Sequence, residues 1–135
     1  MNLLDLADVK RYLGSIERRS FDNNMIFYND VKIGNDFLVT IFAGNFTFCD
    51  PPLMFDNLLN YKAISIGLTE IIKGEQHDIH PSTDSRFQNF SWASYFNQSS
   101  KGINIAQYMG LSIPLEQVYQ IIKDVYKISR LKVFY

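Results

Sequence analysis

Tyr61-Lys62-Ala63-Ile64-Ser65-Ile66-Gly67-Leu68-Thr69-Glu70-Ile71-Ile72 decides how this chain is read. Strand side chains alternate between faces, so Ile64, Ile66 and Leu68 share one face and point at a core. Lys62 and Glu70 continue that parity at the two ends. The intervening Ala63, Ser65, Gly67 and Thr69 are all small, which lets another element pack closely on their side, most simply a helix.

Working outward, Met25 to Ile33 is rich in β-formers and Phe37 to Ala43 is an apolar run. Gly34-Asn35-Asp36 between them is a turn signal, so the two runs predict a hairpin. A second turn at Gly44-Asn45 leads to Phe46-Thr47-Phe48, and Asp50-Pro51-Pro52 stops regular pairing because neither proline donates to a ladder. Residues 73–102 form the longest irregular segment, with Ser91 to Gln98 as a short helix inside it and Ile103 to Met109 as a strand after it.

Helical periodicity brackets these strands. Leu6, Val9, Leu13 and Ile16 fall on one face, with Asn2 as the cap, Asp5 in the first turn and Gly14 near the end. At the other end Pro114 suits a first helical turn and Glu116 a helix amino end. Leu115, Val118, Ile121, Ile122, Val125 and Ile128 then form a wide apolar stripe, with Lys123, Asp124 and Lys127 away from it. The alternating tail Leu131 to Tyr135 adds an edge strand or prolongs the helix. The expectation is one α+β domain over residues 1–135, an antiparallel sheet with an N-terminal helix and a C-terminal helix packed on it.

Composition narrows the function classes. Of 135 residues, 47% are hydrophobic, 15% aromatic and 20% charged, against about 25% charged in ordinary globular domains, so disorder is excluded as the main state. Thirteen Lys and Arg against fourteen Asp and Glu give a net charge of −1. Phosphate neutralisation needs a basic excess, and Lys10-Arg11 and Arg18-Arg19 are too short to supply a track, so no direct nucleic-acid partner is expected. No run of about eighteen apolar residues predicts a membrane span, and the acidic amino terminus lacks the pattern of a signal peptide. A lone Cys49 forms no intramolecular disulfide. Cytoplasm is the expected compartment.

Catalytic patterns are sparse. His77 and His80, with Asp78 between them, are the candidate metal ligands, yet Gly74 and Pro81 frame them as a loop, and solvated loop histidines are the plainer reading. A Glu75–His80 acid–base role meets the same objection. Cys49 has no basic neighbour or helix amino terminus to lower its pKa, so it reads as a small buried residue. Gly-x-Ser-x-Gly and both glycine-rich phosphate loops are absent. The chain is therefore read as having no catalytic residue, metal or cofactor.

A recognition role has more material. Phe87, Phe90, Trp92, Tyr95 and Phe96 are either a satellite cluster tucking the long segment onto the core or an exposed patch of the kind that dominates binding interfaces. Glu70, Glu75, Asp78 and Asp84 precede them, against Lys73 and Arg86. Acids steer a basic partner while rings supply affinity. Glu70, Glu75, Asp78, Asp84, Phe87, Trp92 and Tyr95 are the expected partner-binding residues. Two other readings are a ligand-binding domain or enzyme with residues 73–102 as a lid over an aromatic pocket near Trp92, and an adaptor whose rings are buried in a permanent oligomer.

The strand Tyr61 to Leu68, the join Leu111-Ser112-Ile113-Pro114-Leu115-Glu116-Gln117-Val118 and the helix Val118 to Ile128 together cover about half the chain. In their order they resemble the small immunity proteins of bacterial contact-dependent growth inhibition and related polymorphic-toxin systems. That resemblance implies a cytoplasmic, non-enzymatic protein, a monomer or weak dimer. It would bind the C-terminal toxin domain of a larger chain, often a nuclease, and cover its active site. Surfaces of such inhibitors are commonly acidic; with a net charge of −1, only local patches such as Glu70 to Asp84 answer to that expectation here.

Overall fold

A computed structural model describes residues 5–21, 25–44, 49–97 and 109–132. Helix α1 (Leu6–Gly14) is followed by β1 (Arg18–Phe21), β2 (Met25–Tyr28), β3 (Val31–Ile33), β4 (Phe37–Gly44), β5 (Ala63–Ile72), β6 (Glu75–Asp78) and β7 (Met109–Pro114), and α2 (Leu115–Lys132) closes the chain. All seven strands join one sheet, in the order β1-β2-β4-β5-β6, with β3 beside β4 and β7 beside β5. Every pairing is antiparallel. The fold is α+β, as expected. No described helix is long and apolar enough to cross a membrane.

Register settles which face is the core. Paired residues in an antiparallel ladder lie on the same face. Phe37 pairs with Glu70, Val39 with Leu68 and Ile41 with Ile66, while Val31 pairs with Val39 and Ile33 with Phe37. All these side chains are buried. Val9 and Leu13 of α1 and Val118, Ile121, Ile122 and Val125 of α2 belong to the same core, so the helices cover this face. The strand Tyr61 to Ile72 thus reads correctly for Ile64, Ile66 and Leu68. On the small-residue face, Met109 and the Ser112 backbone of the paired strand β7 lie against Gly67 and Ser65. A Cβ at Gly67 would stand 2.6 Å from Met109 Sδ. Ser65 Oγ accepts the Ser112 N–H at 3.2 Å, beside the register shift in the β5–β7 ladder.

Helix ends follow local chemistry. Asp5, not Asn2, caps α1, its carboxylate accepting the Ala7 N–H at 2.8 Å; Asn2 lies outside the described residues. α1 ends at Gly14, with Ser15 as its C-cap. α2 begins directly after Pro114 and continues through Leu131 and Lys132, which takes the first part of the tail as helix. Asp124 departs from expectation, being buried at the edge of the stripe rather than solvated.

The hairpin forms around Gly34-Asn35-Asp36, with Ile33 opposite Phe37. Gly34 sits at φ 61°, where L-residues are disfavoured, and a Cβ there would run into Ser129 Oγ. That hydroxyl donates to Asp36 Oδ1 at 2.7 Å and ties α2 to the hairpin tip. Gly34→Ala is expected to lower stability by about 1–2 kcal/mol from the backbone alone. A urea midpoint equal to wild type would show that the loop relaxes freely.

Met25 to Ile33 breaks at Asn29-Asp30 into two strands, each pairing with a different half of β4. β1 was not foreseen, because Arg18-Arg19 reads as a charge pair rather than a strand. β6, Glu-Gln-His-Asp, was also not foreseen inside the irregular segment. Within 91–98, Ser91–Asn97 is a 3-10 helix. Phe46-Thr47-Phe48, Asn45 of the second turn, residues 103–108 of the expected strand and residues 133–135 lie outside the described residues.

Candidate partner-binding surface

After β6 the chain crosses onto the helical face and is held there by one cation. The guanidinium of Arg86 forks onto Glu70, with Nη1 to Oε2 and Nη2 to Oε1 both at 2.9 Å. It also reaches Asp84 through Nε at 3.1 Å and Nη2 at 2.9 Å. Asp84 accepts the backbone N–H of Arg86 as well, at 2.9 Å, which closes a tight turn. The group lies 5.3 Å from the Phe87 ring centre and 5.7 Å from that of Phe37, close enough for cation–π attraction. Hydrogen bonds from Arg86 hold the Asp84 carboxyl below the usual carboxylate range, and those to Asp84 and Glu70 hold the guanidinium firmly charged.

Beneath this clamp the aromatic residues form part of the core. Phe87 meets Phe37 edge-on, with centroids 6.0 Å apart at 85°. Phe90 stacks on Trp92 at 5.2 Å, and Phe96 meets Trp92 edge-on at 6.1 Å. Trp92 Nε1 donates to Asp124 Oδ2 at 2.9 Å, and Gln120 Nε2 donates to Asp124 Oδ1 at 3.0 Å. Phe87 is 0% and Trp92 1% exposed, so neither offers surface to a partner. Of the two readings of these rings the structure bears out the satellite cluster tucked onto the core, and it corrects the placing of Phe87 and Trp92 among partner-binding residues: rings that cover the Phe37 end of the sheet gain more from burial there than from solvent contact. Tyr95 is half-buried against the same core.

The remaining acids divide by position. Glu70 is buried and Asp84 half-buried, both committed to Arg86. Glu75 and Asp78 are exposed on β6, whose four residues all face solvent. Ile72 opposite Glu75 is 44% exposed, large for an isoleucine beside a strand end. Lys73 and Gly74 link β5 to β6 at φ 52° and 80°, both positive as a two-residue hairpin turn with native twist requires. Sequence reasoning found Glu75 and Asp78 but missed Arg86 and Asp124 as organisers. The Asp-x-Arg spacing at 84–86 and an acid bordering an apolar helical stripe were the available signals.

Other candidates have plain positions. His77 is exposed on β6, 3.9 Å from a Glu75 carboxylate oxygen, and His80 is half-buried just beyond it. Among the described residues no three His, Cys, Asp or Glu side chains gather closely enough to hold a metal ion. Cys49 is buried, accepting the Gly44 N–H at 3.3 Å and donating to the Gly44 carbonyl at 3.0 Å. Burial pushes its thiol pKa up, which disfavours the nucleophilic thiolate. An open groove of about 500 Å³ lies between Gly14–Arg18 and Asp56–Asn57, with Arg18 paired to Asp56 at 3.0 Å. No family model, curated protein or solved structure matches the chain.

Proposed function

We propose that this chain is a non-enzymatic, protein-binding inhibitor of the immunity type, which neutralises a cognate toxin by covering its active site. The supporting observation is the β5–β6 hairpin. It carries Glu75 and Asp78 exposed, with the apolar Ile72 beside them, on a support stiffened by the Arg86 clamp. A rigid surface with apolar contact and exposed acids suits a basic cleft, because its charges raise the encounter rate and its order is established before binding. Glu70 and Asp84 act in this reading as supports for the hairpin, not as contacts.

The test is co-expression with the product of the neighbouring gene, followed by association kinetics on the purified pair. A stoichiometric complex is expected. Asp78→Lys is expected to slow association several-fold at about 0.05 M salt and far less at about 0.5 M, since screening removes steering. No complex, together with a harmless neighbour, overturns the reading. Association unchanged at every salt concentration removes the hairpin as the contact surface.

A further inference from the structure

The outer edge of β6 is an unpaired ladder, and the register fixes which of its groups are open. The Ile79 N–H donates to the Leu68 carbonyl at 2.9 Å, extending the β5–β6 pairing by one step. Hydrogen-bonded pairs alternate with non-bonded pairs in an antiparallel ladder, so 70/77 and 72/75 are bonded pairs and 69/78 and 71/76 are not. The Ile71 N–H agrees, turning away from β6 to the Asp36 carbonyl at 2.6 Å. The N–H and C=O of Gln76 and of Asp78 therefore point outward, and among the described residues β6 pairs with β5 alone. These two residues alternate along an extended strand, which is the spacing at which another strand bonds.

Charge selects the occupant. β6 reads Glu-Gln-His-Asp, with two acids and no lysine or arginine. A second copy of this strand would bring a like-charged edge within one strand spacing, about 4.8 Å, which is repulsive and disfavours self-pairing. An extended segment bearing lysine or arginine meets the same edge with opposite sign. We infer that β6 is a strand-addition site, where a basic extended segment of the partner protein bonds to the backbone of Gln76 and Asp78 and pairs its cations with Glu75 and Asp78. This rests on the hairpin being the contact surface and specifies how contact is made.

Residue-resolved amide exchange of the whole chain tests it; because Glu75 and Asp78 lie on opposite faces of β6, the probe is a capped valine hexapeptide with two lysines three residues apart, and its valine–glutamate counterpart is the control. In the free protein the Gln76 and Asp78 amides are expected to exchange fast, and the His77 amide, bonded to β5, more slowly. The lysine peptide is expected to slow Gln76 and Asp78 by about tenfold at ten times its Kd, and the glutamate peptide to leave them unchanged. Gln76→Pro removes an outward N–H and no bond to β5, so folding is kept and the effect is expected to vanish. Unchanged exchange at both amides in millimolar lysine peptide overturns strand addition. If Asp78→Lys still slows toxin association in that case, the hairpin surface stands and only the backbone mode falls. If neither responds, both fall.

Discussion

Trp92→Ala is expected to cost about 3–5 kcal/mol of unfolding free energy, the range for emptying a buried tryptophan site. The indole is 1% exposed and touches Phe87, Phe90 and Phe96, so its removal leaves a hole bounded by rings that cannot close it. It also strips Asp124 of the indole N–H donor, while the Gln120 amide still donates to it. Against a total stability of about 5–15 kcal/mol this is a large fraction. Trp92→Phe separates the two contributions: it keeps most of the ring and loses the donor, with an expected cost of about 1–3 kcal/mol. Urea unfolding followed by far-ultraviolet circular dichroism measures both. A Trp92→Ala midpoint close to wild type would show that residues 79–97 do not pack on the sheet as described.

Arg86→Ala is the second large effect. Removing one partner of a buried ion pair costs about 3–5 kcal/mol, and because the Arg86 side chain is a third exposed to solvent, about 2–3 kcal/mol is expected. Most of it comes from Glu70, 7% exposed, losing the two-pronged bond from Arg86. Adding Glu70→Gln to Arg86→Ala is therefore expected to recover part of the loss, and simple additivity of the two changes would deny the pairing. Acid sensitivity follows with a definite sign. The folded-state pKa of Asp84 is lowered, so its stabilisation is fully present above the ordinary carboxylate range and is lost as pH falls through the lowered value. Arg86→Ala flattens that acid limb. Equal slopes of stability with pH in both proteins, between about pH 7 and pH 3, would place the acid sensitivity elsewhere.

Both residues belong to a segment that sequence reading treated as irregular, and the reason is physical. Strand and helix periodicities report where a chain turns one face to a core. Residues 79–90 instead reach the core through turns, with Ile79 and Phe87 entering at no fixed spacing, and only the short 3-10 helix Ser91–Asn97 brings in Trp92, Ala93 and Phe96. β6 was invisible for a related reason. An edge strand whose four side chains all face solvent carries no hydrophobic alternation, and only its pairing to β5 defines it. For Phe87 and Trp92 a core-packed cluster and an exposed patch both fitted the sequence, since the choice depends on distant residues such as Phe37, fifty residues before Phe87 along the chain.

What the sequence determined by itself was the α+β class, the core face of β5, the hairpin at Gly34-Asn35-Asp36 and the stripe of α2. Each depends on local periodicity or on a turn residue's own backbone preference, and these act over a few neighbouring residues. Tertiary structure alone decided which acids are spent and which are free. Glu70 and Glu75 are the same side chain five residues apart, yet one is forked by Arg86 and the other stands in solvent. The difference arises because a bidentate ion pair needs its cation brought within 3 Å, and only the crossing of 79–97 onto the sheet brings Arg86 to Glu70.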